Sequence, residues 1–185
     1  MEDAQIVELY WQRSETAIAE TDRKYGAFCY RISMNLLSSR ADAEECVNDT
    51  WHEAWRQMPP QRPGRLKPWL GAIVRNLSVN LWHRNHAQKR DRGMEQMFSE
   101  LEECLPSPQT VEREMEAREL GQAISAWLYA LPEEDRVLFV RRYWYGMPLK
   151  ELAAGQKLAP GKLAQRMYRL RLDLKSALER EGIAI

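Results

Sequence analysis

The sequence predicts an all-α fold of two helical domains joined by a flexible linker, the second containing a helix-turn-helix. Three observations carry this. Apolar residues recur at three- and four-residue spacing through most of the 185 residues, and no segment alternates as a half-buried strand does. Pro and Gly interrupt that spacing around 58–64, 106–108 and 155–161. Charge is unevenly spread although the net charge is zero: residues 1–90 carry 13 basic and 11 acidic groups, 91–119 carry 3 and 9, and 120–185 carry 11 and 7. Two mildly basic blocks therefore flank an acidic middle, the layout of two lobes and a linker. The expected boundaries are an N-terminal domain at 1–90, an acidic flexible linker at 91–111 and a C-terminal helix-turn-helix domain at 112–185.

Helix by helix, Ile6, Leu9 and Tyr10 suggest a short first helix. Ser14 offers an N-cap for a long second one, with Ile18, Thr21 or Asp22, Tyr25, Phe28 or Cys29, Ile32 and Leu36 as its stripe. Gly26 inside that helix suggests a close helix contact. Asp42 is the candidate cap of a third helix, carrying Ala43, Cys46, Val47, Thr50, Trp51, Ala54 and Trp55 on one side. Pro59 and Pro60 stop it, and Leu66 to Arg84 reads as a fourth helix with Pro68 in its first turn. Residues 91–111 are poorly periodic, with one weak helix around 94–101. From Val111 the stripe Leu120, Ile124, Trp127, Leu128 and Leu131 resumes, and Val137, Val140 or Arg141 and Trp144 continue to a C-cap at Gly146. Leu149, Leu152 and Ala153 then share one face of a short helix. Pro160 opens a longer one with the stripe Leu163, Met167, Leu170, Leu174 and Leu178. Lys162, Gln165, Arg166 and Arg169 fall on another face, the pattern of a helix that enters a major groove.

Composition narrows function. With 44% hydrophobic and 29% charged residues the chain buries a core. It has no apolar run of membrane-spanning length and no signal-peptide layout, so the expected location is cytoplasmic, without direct membrane insertion. Three cysteines, an odd number, fit reduced thiols. No glycine-rich phosphate loop, metal carboxylate pair or Ser/Cys–His arrangement is visible, so no catalytic residue, cofactor or metal is expected. His83 and His86 lack the thiols a zinc site would pair with them. From Ala54 to Arg90 there is no acidic residue but eight basic ones, which points to a polyanion partner.

Three stretches carry a family resemblance: ADAEECVNDTWHEAW at 41–55, WLGAIVRNLSVNLWHR at 69–84 and LPEEDRVLFVRRYWYGMPLKELA at 131–153. In that order, with an acidic spacer between the second and third, they resemble bacterial sigma-70-type RNA polymerase sigma factors of the extracytoplasmic-function (ECF) group. The resemblance implies an alternative sigma factor. Such a protein binds core RNA polymerase through its clamp helices and flap, reads the minus-35 and minus-10 promoter elements, assists DNA melting and is held silent by an anti-sigma factor. The runner-up is a helix-turn-helix regulator that works without polymerase, which leaves 41–55 and 69–84 unexplained.

The residue chemistry suits these roles. Asp42, Glu44, Glu45 and Asp49 give an acidic rim, and Val47, Thr50, Trp51 and Trp55 give apolar area, for polymerase docking; the two tryptophans are equally consistent with core. Strand opening needs backbone cations and π-faces, which Arg62, Arg65, Lys67, Trp69, Arg75 and Arg84 supply, while Asn76 and Asn80 can bond base edges. By resemblance the loop 58–67 cradles a flipped base, and Asn80 stands where many relatives carry Asp. Trp69 and Trp82 are again equally consistent with core packing. Lys162, Gln165, Arg166 and Arg169 are the expected base readers, with Arg171 and Lys175 on phosphates. The turn departs from the family: Ala159 replaces the usual Ser or Thr cap, Gly155 an apolar residue, and Lys157 a Gly.

Overall fold

The computed structural model describes residues 1–86, 92–106, 114–183 and 185; among them every regular element is helical. The chain divides into two compact units, Met1–Asp91 and Arg92–Ile185.

The first unit contains α1 (Asp3–Trp11), α2 (Thr16–Leu37), α3 (Arg40–Gln57) and α4 (Leu66–His86). α2, α3 and α4 pack mutually, and α1 lies against α2. Repeats of three and four residues build the interface: Ala17, Thr21, Tyr25, Cys29, Ile32 and Leu36 on α2, Ala43, Cys46, Val47, Thr50, Trp51 and Ala54 on α3, Leu66, Leu70, Val74 and Leu81 on α4. The buried hydroxyls are satisfied. Thr21 donates to the Ala17 carbonyl at 2.7 Å and lies 2.9 Å from the Tyr10 hydroxyl. Thr50 donates to the Cys46 carbonyl at 2.7 Å, and Ser78 lies 2.7 Å from the Val74 carbonyl and 2.9 Å from the Ser33 hydroxyl. An unmet donor at any of these places costs about 1–3 kcal/mol.

Two caps differ from expectation. Ser39, not Asp42, caps α3, accepting the Asp42 N–H at 3.4 Å, and Asp42 occupies the first turn, where the helix dipole favours it. Ser14 pairs with the Thr16 hydroxyl at 2.7 Å, leaving α2 without a side-chain cap. The atom closest to a Cβ at Gly26 belongs to Asp22 of the same helix, not to a neighbouring one.

One carboxylate gathers this unit. Asp3 accepts from Lys24 Nζ at 2.7 Å and the Tyr25 hydroxyl at 2.5 Å, and its other oxygen accepts the Leu66 N–H at 3.1 Å, so α1 caps the first turn of α4. Burial raises the Asp3 pKa, but the hydrogen bonds from Lys24, Tyr25 and Leu66 together outweigh it, and the net shift is downward.

The second unit holds α5 (Arg92–Glu102), α6 (Glu114–Ala130) and α7 (Glu133–Phe139), which runs into a π-helical turn (Val140–Trp144). α8 (Leu149–Gly155) and α9 (Pro160–Arg180) form the helix-turn-helix. α9 packs on α6, α7 and α8 through Leu163, Met167, Leu170, Leu174 and Leu178. Trp127 meets Phe139 edge-on at 4.9 Å, and Phe139 meets Tyr143 at 4.6 Å. The extra residue of a π turn rotates the stripe. Leu138, Phe139, Arg142 and Tyr143 are buried, whereas Trp144, expected inside, is 43% exposed and Val137 and Val140 are half-buried.

The segment expected as a flexible linker begins with α5, which is part of the second unit; residues 107–113 lie outside the described residues. Met97 and Cys104 are buried, and Glu100 is tied to three side chains. Arg142 Nη2 donates to Glu100 Oε1 at 3.2 Å, and the Tyr143 hydroxyl donates to Oε2 at 2.9 Å. Arg171 Nη1 donates to the Tyr143 oxygen at 2.8 Å and lies 3.6 Å from Glu100 Oε2. Side-chain exposures of 7% for Arg142, 12% for Arg171 and 14% for Glu100 make this a buried ion cluster.

The α8–α9 turn shows the local cost of two of its residues. Lys157 has φ of +53°, a left-handed conformation that costs a side-chain-bearing residue about 1–2 kcal/mol. Ala159 starts α9 with no side-chain cap.

Three outcomes are expected. Lys157→Gly and Ala159→Ser each raise the unfolding free energy of the second unit by up to about 1 kcal/mol, read by urea denaturation. Glu100→Ala lowers it by roughly 3–5 kcal/mol, because two buried arginines lose their carboxylate, and it speeds hydrogen exchange in α5. The Asp3 contribution is fully present above the unfolded carboxylate value near pH 4 and is lost as pH falls through its lower folded value. The stability gap between wild type and Asp3→Ala therefore closes below about pH 4 in acid titrations of unfolding.

Candidate nucleic-acid and partner interfaces

α3 divides sharply. Thr50 is fully buried and Trp51 is 5% exposed, so both belong to the core rather than to a docking face. Val47 is also buried, though it edges an open groove of about 520 Å³ between α2 and α3, lined also by Asp22, Gly26, Ala27, Tyr30, Glu44 and Asn48. Trp55 is half-buried, edge-on to Tyr10 at 6.1 Å and with the Arg13 guanidinium 5.2 Å from its ring centre. The outward face of α3 carries Glu44, Glu45, Asn48, Asp49 and His52, with Asp42 half-exposed at its start. Glu44 is paired with Arg40 at 2.8 Å, a surface pair that adds little stability.

The loop after α3 and the start of α4 bring several sequence-predicted residues together. Arg62, Arg65 and Lys67 are exposed and Trp69 is half-exposed. Trp69 Nε1 donates to Gln61 Oε1 at 3.1 Å, and Trp11 Nε1 donates to the Gln61 carbonyl at 3.2 Å. The Arg62 guanidinium lies 4.5 Å from the Trp11 ring centre and 2.9 Å from Glu8. Glu8 and Trp11 thus hold this loop from α1, through Arg62 and Gln61, a role the sequence analysis missed; the signal was Trp11, one position off the buried Ile6–Tyr10 stripe. Along α4, Trp69, Asn76, Asn80 and Arg84 share one outward face at helical spacing. Arg75 lies off that face and is half-buried, and burial lowers its pKa. Trp82 is buried and edge-on to the exposed His83 at 5.0 Å.

α9 separates its polar residues by direction. Lys162, Gln165 and Arg169 are exposed, together with Tyr168, which the sequence analysis did not single out. Arg166 is half-buried at 31% exposure, its Nε 2.6 Å from Asp135 Oδ1 and its Nη2 3.4 Å from Glu134. Arg171, expected on phosphate, points inward to Tyr143 and Glu100 instead. Lys175 is half-buried. On the other flank Trp127 Nε1 donates to Asp173 at 2.8 Å. Among the described residues no cluster of three or more His, Cys, Asp or Glu is placed to hold a metal, and no helix is long and apolar enough to cross a membrane. The His86 side chain lies outside the described residues.

Comparison with known proteins finds partial likenesses. Residues 22–88, from α2 through α4, match the model of sigma-70 region 2. The chain is 24% identical over 163 residues to the ECF RNA polymerase sigma factor SigE of Mycolicibacterium smegmatis, covering 88% of this chain but only 62% of that protein's length. It is 28% identical over 163 residues to the ECF RNA polymerase sigma factor RpoE of Cereibacter sphaeroides, covering 87% of this chain and 85% of that one. Among solved structures it aligns with CnrH in complex with the cytosolic domain of CnrY at 19% identity, over 96% of this chain and 97% of that one, with a TM-score of 0.44.

Burial of Trp51 decides between its two readings. Trp51→Ala is expected to cost about 3–5 kcal/mol of stability in thermal or urea unfolding, whatever it does to any partner. Substitution of Glu45 or Asp49, both on the outward face, should stay within about 0.5 kcal/mol in the same assay.

Proposed function

We propose that this chain is a sigma-70-type sigma factor of the extracytoplasmic-function group, a reading supported by its likeness to region 2 and to ECF sigma factors. It docks on core RNA polymerase, brings the enzyme to chosen promoters and helps to open the DNA, with no bond chemistry of its own. The observation that carries the reading is the presence on one chain of two separate sets of exposed DNA-suited groups. One is Arg62, Arg65, Lys67, Trp69, Asn76, Asn80 and Arg84 in the segment matching region 2; the other is Lys162, Gln165 and Arg169 on a helix-turn-helix. A helix-turn-helix regulator working alone has use only for the second.

The roles divide by chemistry. The loop and start of α4 offer cations for the backbone and the Trp69 indole for an unstacked base, as strand opening demands. Asn76 and Asn80 offer amides to base edges of the downstream element. Lys162, Gln165 and Arg169 read the upstream element in the major groove. Glu44, Glu45 and Asp49 steer a basic surface of the polymerase onto α3, and the α2–α3 groove beside Val47 offers apolar contact. An anti-sigma protein that silences the factor would compete for these same faces.

In vitro transcription with core polymerase on a genomic DNA library tests the whole reading: discrete start sites appear with the chain and vanish without it. Tight, sequence-specific DNA binding by the chain alone in a gel shift, with no transcription on adding core enzyme, would replace this reading with that of an independent regulator. Within it, Glu45→Lys with Asp49→Lys should weaken capture of core polymerase at least tenfold while thermal stability is unchanged. Gln165→Ala and Arg169→Ala should each cost about 1–3 kcal/mol at the upstream element if they bond bases, and spare a promoter lacking that element.

A further inference from the structure

Arg166 has the sequence position of a base reader and the surroundings of a structural residue. Its Nε is 2.6 Å from Asp135 Oδ1, and its Nη2 is 3.4 Å from Glu134 Oε2. The two carboxylates differ in kind. The Asp135 side chain is 20% exposed and makes the short contact; the Glu134 side chain is 78% exposed and makes the long one. An exposed pair of the second sort contributes little and yields readily to a competing anion, whereas the short, sheltered one persists. Both acids lie in the first turn of α7, where the helix dipole favours their charge.

A guanidinium has five donors in a plane. Asp135 takes the one on Nε. Among the described residues Nη1 has no protein partner, and the Glu134 contact occupies one donor of Nη2. The edge formed by Nη1 and Nη2 is the one that bonds guanine O6 and N7 together. A carboxylate on Nε does not block that edge; it fixes the plane and removes rotamer freedom that binding would otherwise have to freeze.

We propose that Asp135 is a positioning residue for base recognition: it holds Arg166 by the Nε side so that the Nη1/Nη2 edge meets a guanine in the major groove, while a DNA phosphate displaces Glu134. The proposal rests on the reading of α9 as the upstream-element helix. It adds a specificity determinant from a second helix, and it makes Arg166 a reader because it is paired, not in spite of it.

The test uses the full chain bound to core RNA polymerase and a duplex library randomised across the upstream element. Wild type is expected to enrich a motif with guanine at one position. Arg166→Lys, which keeps the charge but lacks the fork, should flatten that position and no other. Asp135→Ala should flatten the same position, lowering the ratio of cognate to single-base-variant binding about tenfold. Asp135→Asn, which keeps an acceptor oxygen for Nε, should retain most of the preference. Asp135→Ser, too short to reach Nε, replaces the alanine variant if that one melts early. Three results overturn the proposal: a motif unchanged in Asp135→Ala and Asp135→Ser; tighter binding of all sequences by both the alanine and asparagine variants, which makes Asp135 only a repulsive charge; and a guanine preference kept by the lysine variant. A wild-type chain that enriches no motif overturns the reading of α9 itself, and this proposal with it.

Discussion

The Glu100 carboxylate decides where the second unit's arginines point. Two guanidinium groups and a phenol converge on it from the π turn and from α9. A buried arginine without a carboxylate is a costly state, so Glu100 does not so much add stability as permit Arg142 and Arg171 to be inside at all. Three consequences follow from that permission. α5 becomes a structural member of the helix-turn-helix unit. The π turn is held where Arg142 and Tyr143 both face inward. Arg171 is withdrawn from the surface of α9, which leaves Lys162, Gln165 and Arg169 as the outward face.

Asp3 acts similarly in the first unit, though at the edge of its core. It joins α1 to Lys24 and Tyr25 of α2 and to the first N–H of α4. The start of α4 is where the loop bearing Arg62 and Arg65 delivers its cations, and α1 also grips that loop through Trp11 and Glu8. A net-neutral protein can still present basic surfaces by this sorting of charge. Some cations are spent inside, as Arg142 and Arg171 are; others are turned out in groups, as Arg65 and Lys67 are. Total charge says nothing about either.

Helix existence was legible because apolar spacing is local information. The stripes of α2, α3 and α9 are nearly the residues that the spacing selects, and the break at 58–64 separates α3 from α4 as its prolines require. What spacing cannot reveal is a partner distant in sequence. Nothing around Glu100 signals two arginines 42 and 71 positions further on, so a helix held by a charged residue looked like a linker. The same blindness put Arg171 on phosphate and assigned Arg166 to DNA without noticing Asp135. For Trp51 and Trp55 the alternatives stood level in the sequence, and packing separated them: Thr50 and Trp51 enter the core, while Trp55, one turn further on, stays on its rim. The π turn was illegible for a related reason, since one extra residue per turn shifts every later position of a periodic pattern.

The α8–α9 hairpin shows how such distant ties replace local ones. By local measures it is poorly made: Lys157 sits in a glycine conformation and Ala159 gives α9 no cap. A helix with a loose start would scatter its side chains, at an entropic cost to whatever must order them. α9 is instead held on both flanks by side chains of other elements. Asp135 of α7 bonds Arg166, Trp127 of α6 bonds Asp173, and Glu100 of α5 with Tyr143 holds Arg171. These contacts fall on the flanks of α9, and the core stripe takes the side between them. The arc left over is the one that presents Lys162, Gln165 and Arg169. These ties therefore orient the helix alongside the turn, and do so through residues that no local pattern around the turn reveals.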